Sequence, residues 1–278
     1  MTDGADVRFF PSRDGDLAYL DTGSAYLDTG SGDPVVLIHS GYVDHRMWAD
    51  QIPALAAGHR VIAPDVRGHG SSANASEPFR WADDLAALLR HLDAGPAVLV
   101  GVSMGGVIAT DTVLEHPGLV RAVVTCGAAT GDFRYSDAWH TELGAEYARS
   151  LGAGDIEGWL DAFVRVAAGA RREVADLDPE IPRRLREMAR RTLARHTPGE
   201  TDWHVPVTGS WPRLPKIDVP VLTINGGLEP AELLAAAERL AREVPDGRAE
   251  VVEGTDHYPN LERPDVFNGL LLDFLRAL

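Results

Sequence analysis

Pro96-Ala97-Val98-Leu99-Val100-Gly101-Val102-Ser103-Met104-Gly105-Gly106 decides the reading of this chain. An apolar run of strand character stops at a serine, and the stretch after it, Val107 to His116, has helical character. A serine at such a turn is a nucleophile elbow: its hydroxyl projects from the tip while the following helix points its N-terminus at the reacting centre. Gly101 and Gly105 let the backbone turn tightly and leave room around a strained residue. The chain has 28 glycines, so G-x-S-x-G by itself says little. The strand before it and the helix after it carry the argument.

Working outward, short apolar strands alternate with helical stretches: Val35 to His39, Arg60 to Ala63, Ala97 to Val100, Arg121 to Thr125, Val219 to Asn225 and Ala249 to Val252. This alternation predicts an α/β fold, a mostly parallel sheet with helices on both faces. Between Gly131 and about Trp211 the strand signal gives way to helical periodicity, as in Asp155 to Val164 and Ile181 to His196. The expected organisation is a core from 1–130 and 212–278 with a helical cap inserted at 131–211, Pro212 to Pro215 being the return linker.

The 278 residues suffice for a large buried core. A net charge of −16 argues against nucleic acid or an anionic membrane as partner, because phosphate-binding surfaces need clustered Lys and Arg. Cys126 is the single cysteine, so no internal disulfide can form, and its apolar neighbours predict a buried strand position. The acidic N-terminus lacks signal-peptide character, and no apolar run reaches membrane length; a soluble cytoplasmic protein is expected. Oligomeric state is not legible.

Ala18-Tyr19-Leu20-Asp21-Thr22-Gly23-Ser24 is followed at once by the identical Ala25 to Ser31, a duplication of seven residues. Strand side chains alternate with a period of two, so an odd insertion predicts that one copy pairs in a sheet while the other bulges or turns. Each copy holds Asp-Thr-Gly-Ser, as in aspartic proteases, but that chemistry needs two carboxylates on symmetric loops, and a hairpin repeat does not supply them.

A serine hydroxyl becomes a nucleophile only when a base takes its proton, and the base needs a carboxylate to orient it. Among ten histidines, His257 follows the last strand through Glu253-Gly254-Thr255-Asp256 and so opens at the same sheet edge as Ser103. Glu229, in the turn after Val221 to Asn225, is the preferred carboxylate; Asp132 and Glu232 are the alternatives. Backbone donors for a developing oxyanion are expected from Met104 and Gly41, with Tyr42 next to it. Trp139, Trp159, Phe163 and Met188 are candidate substrate-lining residues of the cap, although aromatic residues at helical spacing commonly build a helix's own core.

With these motifs in order, the chain resembles the α/β-hydrolase superfamily. The resemblance rests on Leu37-Ile38-His39-Ser40-Gly41 with Met47-Trp48, on Ala63-Pro64-Asp65-Val66-Arg67-Gly68-His69-Gly70-Ser71, on the elbow, and on Gly254-Thr255-Asp256-His257. It is most similar to capped esterases and enol-lactonases, whose closing segment is like His257 to Pro264. Ser40 stands where the family usually has glycine, and Glu229 where aspartate is commoner. The resemblance implies that Asp65, Arg67 and His69 brace a loop. It also implies the nucleophile, acid, base order Ser103, Glu229, His257. A serine hydrolase acting on a small or medium apolar ester or lactone, with no metal or organic cofactor, is the expectation. The alternatives are a C–C bond hydrolase, thioesterase or acyltransferase on the same residues, or a ligand receptor with little turnover.

Overall fold

Strands that are apolar at every position must bury both faces, and the inner strands here do so. The computed structural model describes residues 7–22 and 33–278. Within them the strands are β1 (Val7–Ser12), β2 (Gly15–Asp21), β3 (Pro34–Ile38), β4 (Arg60–Pro64), β5 (Ala97–Val102), β6 (Val120–Cys126), β7 (Val221–Gly226) and β8 (Gly247–Val252). They form one sheet in the order β1-β2-β4-β3-β5-β6-β7-β8. β1 pairs antiparallel with β2 and β2 with β4, whereas β4-β3-β5-β6-β7-β8 is parallel throughout.

The helices are α1 (Ile52–Ala56), α2 (Trp81–His91), α3 (Met104–Glu115), α4 (Ala138–Ala153), α5 (Ile156–Ala168), α6 (Glu180–Leu193), α7 (Ala231–Glu243), α8 (Pro259–Glu262) and α9 (Pro264–Arg276). Alternation along the strands sorts the core into two layers. Val35, Leu37, Val98 and Val100 face α9 and the helices α5 and α6, through Phe267, Leu271, Trp159 and Leu185. Val36, Ile38, Leu99 and Val123 face α2, α3 and α7, through Leu85, Leu89, Ile108 and Leu240.

The sheet and the helical insert α4–α6 agree with expectation, with two corrections. The helix after the elbow starts at Met104, three residues before the expected Val107, because Ser103 itself makes the turn. The insert contains a further helix, α4, that the sequence reading missed; only Leu143 of it is fully buried, so it carries a weak apolar stripe. Pro212 to Pro215 lie in a 3-10 turn, Trp211–Lys216. Of the tandem repeat, Ala18 to Asp21 pair in β2 and Asp21 holds a half-buried ion pair with Arg60 at 2.8 Å; the second copy, Ala25 to Ser31, lies outside the described residues. Cys126 is buried at the end of β6. No helix of the described residues is long and apolar enough to cross a membrane.

Candidate active site

At the end of β5 the chain reverses at Ser103, whose φ of 54° and ψ of −117° lie where non-glycine residues rarely go. Such strain costs about 1–3 kcal/mol and persists only where surrounding contacts over-determine it. Those contacts are visible. Ser103 N–H donates to the Cys126 carbonyl at 2.7 Å, and its own carbonyl accepts from Gly106 and Val107 at 2.9 and 3.1 Å. A Cβ at Gly101 would run into the Gly105 carbonyl, and one at Gly105 into that of Ile38. The elbow glycines are thus where α3 presses on β5 and β3.

The loops after β7 and β8 are stitched together by their backbones. Leu228 N–H donates to the Thr255 carbonyl at 2.9 Å and Gly227 N–H to that of Val252 at 3.1 Å. A Cβ at Gly226 would strike the Asp256 and Thr255 carbonyls. This brings Glu229 to His257 across a gap of 28 residues, with Nδ1 and Oε1 2.9 Å apart. Both are buried, at 5% exposure for His257 and 1% for Glu229. With the Nδ1 proton committed to the carboxylate, Nε2 is the basic nitrogen of the neutral ring. Burial opposes the imidazolium, but the charge and hydrogen bond of Glu229, with the charge of Asp256, raise the group above the ordinary histidine value.

The two alternative acids are engaged elsewhere. Asp132 accepts the backbone N–H groups of Gly209 and Ser210 at 3.2 and 2.6 Å, tying the start of the insert to its end. Glu232 accepts from Ser136 N–H at 2.7 Å and Asp137 N–H at 3.2 Å, ahead of α4.

Gly127, which sequence reasoning passed over, sits at the junction. It lines a cavity of about 280 Å³ together with Ser103. A Cβ there would lie 3.0 Å from the His257 ring and 3.2 Å from Glu229 Oε1. Its N–H donates to Asn225 Oδ1 at 3.0 Å, and its φ is 58°. The only sequence signal was a glycine directly after a strand.

On the other side of Ser103, Gly41 and Tyr42 form a turn after β3, with Tyr42 at φ 63°. A Cβ at Gly41 would be 3.9 Å from Met104 Sδ, so the oxyanion-hole candidates are neighbours. Met104 is the first residue of α3, where helical N–H groups lack intrahelical partners. Gly41, Tyr42 and Met104 line a cavity of about 630 Å³. Ser40, at the position where glycine is usual, places its hydroxyl 3.2 Å from the Tyr258 hydroxyl, joining this loop to the His257 loop.

His39 accepts the Val66 N–H on Nε2 at 3.0 Å and faces the Ser40 carbonyl with Nδ1 at 2.7 Å, so it is neutral and braces two loops. Asp65 accepts from His45 N and Nδ1 at 2.9 and 2.8 Å and from Ser71 N at 2.8 Å; Arg67 is locked to Asp84 at 2.7 Å. His69 differs in reaching the larger cavity, where burial and the neighbouring His39 push it down to about 3. It stands there as a neutral ring.

Of the four candidate lining residues, Trp159 and Phe163 stack at 5.2 Å and meet the Tyr42 ring at 4.7 and 5.9 Å. Met188 is buried in the same apolar cluster, and Trp139 lies under the Arg165 guanidinium at 5.9 Å. The wall of the larger cavity comes instead from the α4–α5 turn and the end of α6: Leu151, Gly154, Ile156, Thr192 and Leu193. Apart from Gly154 these sit at the ends of helices, and helical periodicity does not mark which end residues line a cavity.

Among the described residues one group has metal-ligand spacing, Asp44, His45 and Asp65. Its atoms are already spent: Asp44 binds Arg46 at 2.8 Å, and Asp65 binds His45 and Ser71. The arrangement fits a loop brace.

A mostly parallel sheet with a serine elbow on an inner strand and a helical insert before β7 defines the alpha/beta hydrolase class of fold. The chain belongs to the alpha/beta hydrolase family, whose model matches residues 35–270. A Mycobacterium tuberculosis protein bearing the name non-heme bromoperoxidase BpoC is 31% identical over 270 residues, covering 94% of this chain and 98% of that one. The 3-oxoadipate enol-lactonase 2 of Acinetobacter baylyi is 28% identical over 80% of each chain. Carboxylesterase CesB of Bacillus subtilis matches in structure with a TM-score of 0.78 at 22% identity, covering 100% of this chain and 93% of that one.

Proposed function

We propose that the protein is a serine hydrolase that cleaves a carboxylic ester or lactone through an acyl-enzyme on Ser103. The observation that carries this reading is an elbow serine in a strained conformation on the same sheet edge as a buried imidazole whose Nδ1 is held by Glu229 at 2.9 Å. His257 Nε2 takes the Ser103 proton, the oxygen attacks the carbonyl carbon, and the oxyanion is met by the N–H groups of Met104 and Gly41. The same imidazolium returns its proton to the leaving alkoxide. Water, deprotonated by His257, then adds to the acyl carbon and Ser103 leaves with the proton, releasing the acid. Glu229 orients the ring and stabilises the imidazolium.

The larger cavity supports an uncharged, mainly apolar substrate of small or medium size. Its volume of about 630 Å³ falls within the range of small-molecule sites. Its described lining includes no Lys or Arg, and its one carboxylate, Glu200, is engaged by His196 and by Thr197 N–H at 3.0 Å. A relative whose name specifies lactone cleavage agrees with this substrate class.

Intact-mass analysis after exposure to a fluorophosphonate tests the reading without knowledge of the substrate. One label per chain, absent from Ser103→Ala, is expected. A folded native chain that stays unlabelled would move the ligand-receptor reading to the front.

A further inference from the structure

The proposed chemistry leaves unused a second buried carboxylate, next to His257 in the chain. Asp256 directly precedes His257, is 2% exposed, and its Oδ2 has no hydrogen-bond partner. A buried carboxylate oxygen without a donor costs stability, so packing alone gives no reason for an acid here. The helical insert lies directly over it. At Gly169, where α5 ends with φ 70°, a Cβ would collide with Asp256 Oδ2.

Three residues on, Arg172 closes a clamp. It donates to both Glu262 oxygens at 2.6 and 3.0 Å and to the Gly254 carbonyl at 3.3 Å. Glu262 in turn accepts the Asp256 N–H at 2.9 Å. The Arg172 and Glu262 side chains are 18% and 7% exposed, so the pair is shielded from water. The insert is therefore fastened to the loop that carries His257, on both sides of Asp256.

The charges facing Asp256 come from four elements. Burial is the largest influence and Glu229, from the turn after β7, adds to it; His257 and Arg172 oppose them, Glu262 of α8 reinforces them, and the carboxyl is pushed up to about 6. A cavity of about 410 Å³ alongside adds Asp137, His140, Arg171 and Glu232. Glu232 is held by Ser136, and Asp137 by His140 at 2.7 Å.

We propose that Asp256 is a positioning residue for His257: a second carboxylate, clamped in place by the helical insert through Gly169 and Arg172, that fixes the loop of the base and adds negative charge to its surroundings. This rests on the reading of Ser103, His257 and Glu229 as acyl-transfer machinery. The clamp makes the seating of the insert and the state of the base one coupled arrangement.

The test is the pH dependence of the fluorophosphonate labelling rate of the full chain. Labelling needs neutral His257, so the rate falls on the acid side as that ring gains its proton. Asp256→Asn removes a negative charge at nearly constant shape and should move the acid limb to lower pH by about half a unit or more. Asp256→Ser, smaller and equally uncharged, should move it the same way and serves if the asparagine variant misfolds. An unshifted limb in a folded, labelled variant would make Asp256 a packing residue and overturn the proposal. Arg172→Met should lower the plateau rate severalfold and Arg172→Lys restore part of it; equal plateaus would overturn the clamp. Failure of the native chain to label at any pH would instead sink the acyl-transfer reading itself.

Discussion

The sheet edge and the helical insert hold the two sides of the site by opposite means. Around Ser103, and between the loops after β7 and β8, the backbone approaches so closely that Gly101, Gly105 and Gly226 have no space for a side chain. Across the outer face of the insert the contacts are charge pairs near solvent: Arg186 and Arg190 with Glu157, Arg46 with Glu187, Arg184 with Asp50. Backbone contact at van der Waals distance admits no substitution, whereas exposed ion pairs contribute little and can be exchanged. The lesson is a division of labour in which a fixed edge carries Ser103, Glu229 and His257, and on the proposed function a replaceable wall, Leu151 to Ile156 and Thr192 to His196, shapes what reaches them.

The largest effect should come from the reacting side. Glu229→Gln leaves the shape intact but withdraws the charge that orients and stabilises the imidazolium, and should lower kcat on a cleavable ester by about 10³- to 10⁴-fold. A fall of less than tenfold would mean that another acid serves His257. Gly105→Ala comes next: its methyl would meet the Ile38 carbonyl, and urea unfolding should show a loss of about 3 kcal/mol. An unchanged midpoint would show that α3 can retreat and that the edge is softer than its contacts imply.

A smaller, pH-dependent effect follows from the raised imidazole of His257. Activity requires the neutral ring, so the acid limb of kcat/KM should have its midpoint above the ordinary histidine value of 6.5. The stability linkage has the opposite sense: the charged ring's favourable interactions are fully present below 6.5 and are lost as pH rises through the higher folded value. A midpoint below 6.5 would mean that burial outweighs Glu229. The smallest effect is expected on the insert's surface, where Glu157→Gln should leave both the melting temperature and ester turnover unchanged within measurement scatter. A clear fall in turnover would show that the exposed pairs do position the wall.

Much of this was legible in residue order because the physics was local. The apolar runs of β3 to β7 announce strands buried on both faces, and the glycines beside Ser103 announce a turn that only they permit. Glu229 and His257 could be chosen because loops after parallel strands open at one edge. The legible part thinned out where contacts join distant segments. The second half of the tandem repeat, Ala25 to Ser31, lies beyond the described residues. Helix α4 buries too little to leave a clear stripe, and the aromatic residues Trp159 and Phe163, the most visible feature of the insert, pack largely on one another and on Tyr42.

The sequence by itself determined the class of fold, the elbow and the edge at which reactive groups gather, since periodicity and glycine placement act within a few residues. Only the tertiary structure decided which of three acids meets His257, that Gly127 must stay small beside that pair, and that Arg172 of the insert reaches Glu262. Those outcomes depend on how far each loop reaches after the sheet has closed, and side chains 28 or 90 positions apart carry no mark in the sequence that they will touch.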